Sequence, residues 1–205
     1  MKKSAITAEQ KQMKKENDIM LKYVNPTKVV TGVCTFSYLN CWEPKAIDGG
    51  KAKYSVSLII PKTDDKTVER VMSAVQAAYN EDGNKLAGRD KIVPPLSAIK
   101  IPLRDGDLER PGDENYKGCW FINANSATQP GIVDVNCQPI LNRSEMYSGV
   151  KGRASISFFG YNVNGNRGIA AGLNNLQKIS DGKPLGGRPR AEDDFSTEDF
   201  EDFPF

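Results

Sequence analysis

The 205-residue chain contains no histidine. That excludes Ser-His-Asp and Cys-His catalysis, His-Cys zinc sites and the helical metalloprotease motif together. Acid–base chemistry near neutral pH would need a shifted Asp, Glu, Lys or Cys instead. No run of eighteen or more apolar residues occurs, so no membrane-spanning helix is expected. Met1-Lys2-Lys3-Ser4 leads into polar residues, so no signal peptide is expected and the cytoplasm is the expected compartment. None of the four cysteines, Cys34, Cys41, Cys119 and Cys137, forms a C-x-x-C pair. Structural zinc draws on close ligand pairs, so all four are read as free thiols, buried or half-buried. There is no Walker A loop and no G-x-G-x-x-G. No cofactor is implied.

What is present is charge sorted along the chain. Residues 192–205 hold seven acids and no base, whereas residues 1–191 hold all 28 bases and the other 19 acids, a net of +9. A basic body with an acidic tail is the form expected of a polyanion-binding protein. Of eight phenylalanines, Phe195, Phe200, Phe203 and Phe205 fall in the last eleven residues. Such a tail is disordered by charge yet keeps its rings. The terminal Phe205 beside its free carboxylate suits a pocket with an apolar floor and a cation at its mouth.

Four segments follow: a polar basic arm (1–24), a β domain (25–180), a Gly/Pro linker (181–191) and the acidic tail (192–205). In the arm, Thr7 is placed as the cap of a short helix reaching Met20. Residues 27–39 read as a strand, being rich in Val, Thr, Phe and Tyr. Residues 51–60 read as a second, with Ala52, Tyr54, Val56, Leu58 and Ile60 on one face and Lys51, Lys53, Ser55 and Ser57 on the other. After Pro61, Asp64 or Asp65 caps an amphipathic helix carrying Val68, Val71, Met72, Val75, Ala78 and Tyr79. Residues 91–117 read as irregular. Short strands at 119–126 and 132–135 precede a long one at 147–162. Asn164-Gly165-Asn166 signals a hairpin into a last strand over 168–179. The expected fold is mainly β: an OB-type barrel of five to six strands, one helix after the second strand and a disordered acidic tail.

Gly149-Val150-Lys151-Gly152 and Gly165-Asn166-Arg167-Gly168 match the KH-domain clamp in letters but sit beside strands, so both read as turns. What remains is cations and aromatics interleaved on strands. Unpaired nucleic acid is held by Lys and Arg on phosphates and by rings on bases. The candidates are Lys51 and Lys53 on the second strand and Arg153, Phe159 and Tyr161 on the long strand. Tyr38, Trp42 and Lys45 lie in the loop between the first two strands, with Lys117, Phe121, Arg143 and Tyr147 further on. For any single ring, core packing is the alternative.

The stretches Phe36-Ser37-Tyr38, Trp42-Glu43-Pro44-Lys45 and the run from Lys53 to Lys62 resemble a family of phage and prophage proteins. So do the runs Pro102–Asp107, Ile140–Gly149 and Gly172–Lys178. The family is similar to the podophage-type single-stranded DNA-binding proteins, which have an OB fold and an acidic C-terminal tail. The resemblance covers roughly residues 27–200. The ending Asp199-Phe200-Glu201-Asp202-Phe203-Pro204-Phe205 also looks like the acidic Pro-Phe ending of bacterial single-stranded DNA-binding proteins, with Phe203 where an aliphatic residue is usual. The resemblance implies a non-enzymatic protein that coats unpaired strands in phage replication, recombination or repair. It also implies that the tail docks replication or recombination partners and lies in the DNA groove when DNA is absent. A homodimer stays open. Two rivals are a non-catalytic scaffold acting through its tail alone, and a metal-dependent nuclease built on Asp105, Asp107 and Glu109.

Overall fold

The computed structural model describes residues 25–46, 49–88 and 91–186. The arm, the end of the linker and the acidic tail lie outside these residues. Eight strands form one sheet: β1 (Lys28–Val30), β2 (Cys34–Lys45), β3 (Lys53–Pro61), β4 (Leu103–Asp105), β5 (Cys119–Ser126), β6 (Gly131–Val133), β7 (Lys151–Val163) and β8 (Asn166–Ser180). Among the described residues three α-helices accompany them: α1 (Asp65–Glu81), α2 (Gly83–Ala87) and α3 (Gly106–Glu109).

Five strands close on themselves in the order β2-β3-β5-β8-β7 and back to β2. All pairings are antiparallel except β5 with β8. This is the five-stranded Greek-key ring of an OB fold. Two seams are short, Cys34–Thr35 on β2 with β7 and Ala124–Asn125 on β5 with β8, so it is a ring of strands rather than an evenly bonded barrel. β1 and β6 flank the ring and β4 adds to β5.

The expected first strand is two. It breaks between Val30 and Cys34, where Gly32 passes the start of α1 and donates its N–H to Thr67 Oγ1 at 2.8 Å. A Cβ on Gly32 would sit 2.8 Å from that oxygen and collide with Asp64. The amphipathic helix therefore follows the third strand. Its cap is Asp64, which accepts from Thr67 N at 3.1 Å. Val71, Ala74, Val75 and Ala78 turn inward, where they join Phe36, Leu58, Ile60, Ile122, Ala154, Ile156 and Leu176 in one core. Each large apolar side chain buried there contributes about 1.5–3 kcal/mol. The β7–β8 hairpin turns at Asn164 (φ 50°) and Gly165 (φ 83°), the left-handed pair that its sequence signals.

Residues 91–117 are more ordered than expected. Asp105 accepts from Asp107 N at 2.9 Å and so starts α3. Lys62 Nζ bridges Asp105 at 2.7 Å and Asp107 at 2.8 Å. The Lys62 ammonium, together with the Gly118 N–H, holds Asp107 below the usual carboxylate range. Cys34 and Cys41 are buried and Cys119 half-buried, but Cys137 is exposed, a correction to the expected burial of all four thiols. Cys137 sits in a tight turn at φ 60°, clear of the core.

Candidate nucleic-acid interface

On the outer side of the ring a groove of about 590 Å³ crosses β2, β3 and β5. The pleat dictates its floor. With Val56, Leu58 and Ile60 turned inward, Ser55 and Ser57 lie on the outer side, Ser57 buried where the Tyr116 hydroxyl donates to its Oγ at 3.0 Å, and on β5 Asn123 and Asn125 face out. The register sets Ser55 opposite Asn125 and Ser57 opposite Asn123. The rim carries Lys45, Lys51, Lys53 and Arg110. Among the described residues these four cations are the only charged groups in the lining, and no carboxylate joins them. Lys53 Nζ reaches Asn125 Oδ1 at 3.4 Å, and Asn40 Nδ2 donates to Ser55 Oγ at 3.0 Å.

Tyr38 overhangs one end. β2 has one extra residue between its pairings Ser37↔Ser57 and Asn40↔Ser55. This bulge puts Tyr38 in the left-handed region at φ 46°, and its side chain is 58% exposed. A tyrosine there costs about 1–2 kcal/mol, so the surroundings must hold it. Leu39 N donates to Ser148 Oγ at 3.1 Å. The Arg110 guanidinium lies 5.1 Å from the Tyr38 ring centroid and donates to its hydroxyl at 3.3 Å. The same guanidinium lies 4.6 Å from the Tyr116 ring and 5.3 Å from Phe121.

Of the residues expected from sequence, the fold gathers Tyr38, Lys45, Lys51 and Lys53 into this groove. Trp42 is half-buried, with Nε1 donating to the Arg143 carbonyl at 3.2 Å. Arg143 is exposed but pairs with Glu43 at 2.6 Å. Lys117 stands apart with Glu114 at 3.5 Å. Tyr147 packs partly against the core and bonds Asp181 and Gly182 through its hydroxyl. Phe121 is a correction. It lies fully buried with Ile59 and Tyr116, edge to face with Tyr116 at 5.2 Å, and no base can reach it. Arg153, Phe159 and Tyr161 share the outer face of β7, outside the groove lining.

Sequence reasoning missed Arg110, Asn40, Asn123 and Asn125. Its nuclease candidates are otherwise engaged: Asp105 and Asp107 hold Lys62, and Glu109 pairs with Arg104. Among the described residues no three Cys, Asp or Glu groups converge as a metal site.

An OB-type ring with a cationic, amide-floored groove under an exposed ring is the architecture of an oligonucleotide-binding module. The chain belongs to the family of the Enterobacter phage Enc34 ssDNA-binding protein, whose family model matches residues 27–204. The family resemblance of the sequence motifs is thereby borne out. Protein p50 of Acyrthosiphon pisum secondary endosymbiont phage 1 is 30% identical over 166 residues, covering 78% of this chain and 85% of that protein. The single-stranded DNA-binding protein of bacteriophage Enc34 in complex with ssDNA matches with a TM-score of 0.64 at 21% identity, over 79% of this chain and 91% of that one. Bacteriophage T7 gp2.5, a single-stranded DNA-binding protein, matches at 0.54 and 15% identity, over 78% and 90%. The solved structures speak to the fold.

Proposed function

We propose that this protein binds single-stranded DNA without reading its sequence and coats exposed strands during phage DNA replication, recombination or repair. Family membership supports the reading. The single observation that carries it is the groove lining among the described residues: four cations, no anion, and a half-exposed tyrosine held by an arginine. The cations neutralise phosphates and Tyr38 offers a face on which any base stacks. Ser55, Asn123 and Asn125 hydrogen-bond whichever base edges pass over the floor.

In this reading the acidic tail has two tasks. Residues 199–205 dock replication or recombination proteins, with Phe205 and its carboxylate as the anchor. The seven acids also compete with DNA for the groove. The test is fluorescence anisotropy with labelled oligothymidylate. Four neutralised phosphates give a salt slope of about −3, so affinity should fall about fifty-fold between about 50 and 200 mM salt. The Lys51→Glu, Lys53→Glu double variant should flatten that slope while leaving thermal unfolding unchanged. Absence of binding at low salt, or binding indifferent to salt, overturns the proposal. Equal affinity for duplex would remove the stacking component.

A further inference from the structure

Beyond the groove, the outer face continues across two more strands, and its side chains thin out there in a particular way. Asn125 on β5 is in register with Gly172 on β8, and Gly172 is opposite Ser157 on β7. A Cβ placed on Gly172 would lie 3.3 Å from Cε1 of Phe159. The Phe159 ring therefore leans over the glycine, toward the Asn125 row, while remaining 44% exposed. Tyr161 repeats the arrangement one step along β7. A Cβ on Gly168 would come within 2.9 Å of its hydroxyl. Two aromatic residues on a solvent-facing strand thus each lie across a residue with no side chain. The β7 face that carries them offers Arg153, Ser155 and Ser157 besides, and no carboxylate.

We infer that Phe159, seated on Gly172, is a second base-stacking subsite, and that the single strand runs across the strands from the groove to β7. This rests on the groove being the nucleic-acid site. The path begins at Tyr38 on β2, passes Lys53 and Asn125, crosses Gly172 and ends at Phe159. Four strand spacings of about 4.8 Å separate β2 from β7 along this surface, roughly 19 Å in all. That length suits about four nucleotides, the lower end of what one OB fold occupies. Gly172 matters because a side chain there would stand in the path and lift the ring off the sheet.

The experiment compares oligothymidylates of about three and about twelve nucleotides, by anisotropy at low salt, on the full chain. Phe159→Ala should weaken the longer oligonucleotide about tenfold and leave the shorter one, held in the groove, unchanged. Phe159→Tyr should restore the longer one. Gly172→Val should reproduce the alanine result, and if it fails to fold the Phe159 pair still decides. Unchanged binding of the longer oligonucleotide by folded Phe159→Ala overturns the subsite and leaves the groove intact. Equal weakening of both lengths overturns the path. Failure of wild-type protein to bind either length at low salt overturns the groove reading itself.

Discussion

Tyr38 offers the sharpest separation of binding from folding, because its ring and its backbone pull in opposite directions. The ring overhangs the groove; the backbone sits at φ 46°. Tyr38→Ala and Tyr38→Gly remove the same ring, and at 58% exposure neither leaves a core cavity. Both should lose about 1–3 kcal/mol of stacking, a rise in Kd of about 5- to 150-fold. Both also lose the Arg110 contact, worth about 0.5–1 kcal/mol at an exposed site. Only glycine relieves the left-handed conformation, about 1–2 kcal/mol, against about 0.5–1 kcal/mol of added chain entropy. Tyr38→Gly should therefore be more stable than Tyr38→Ala by about 0.5–1 kcal/mol. In a domain of this size that is a Tm difference of roughly 1–4 °C. Differential scanning calorimetry and oligothymidylate anisotropy on the two variants measure both quantities. Equal Tm values would refute the strain argument. Wild-type affinity in both variants would refute Tyr38 as a platform.

Removing residues 192–205 should tighten DNA binding at low salt, and unchanged affinity there would end the competitor role of the seven acids. Phe205→Ala should leave DNA binding alone and abolish tail-dependent capture of purified replication or recombination proteins of the host; capture that persists would free the anchor of that task. Burial pushes Cys34 and Cys41 up to about 12, so at pH about 8 a thiol reagent should label Cys137 first, Cys119 slowly and the other two only on unfolding. In the unfolded chain those two thiols ionise near their ordinary 9, so stability is complete below about 9 and drains away towards 12. Denaturant midpoints across that window should fall less steeply in a Cys34→Val, Cys41→Val double variant.

Local periodicity carried much of the fold. The alternation of Val56, Leu58 and Ile60 against Ser55 and Ser57 marked both the core face and the groove floor. The turn signal Asn164-Gly165-Asn166 marked the β7–β8 hairpin, and the spacing of Val68, Val71 and Val75 marked α1. What the sequence left hidden depends on remote pairing. Phe121 stands at an outward position of its strand, and only the placement of Tyr116 above it makes it core. Arg110 meets Tyr38 across 72 residues of chain, with no short-range pattern to announce it. The bulge at Tyr38 is likewise invisible without the β3 register. Its one trace in sequence is an exposed aromatic residue among the polar loop residues that follow.

The two flanking strands of the sheet, β1 and β6, are each only three residues long. Beyond β6, Val133 already meets Pro139, which has no amide hydrogen to offer. Among the described residues these two flanking strands therefore leave little backbone open for another molecule to zip onto. Copies of the chain brought close together are thereby kept from clumping edge to edge.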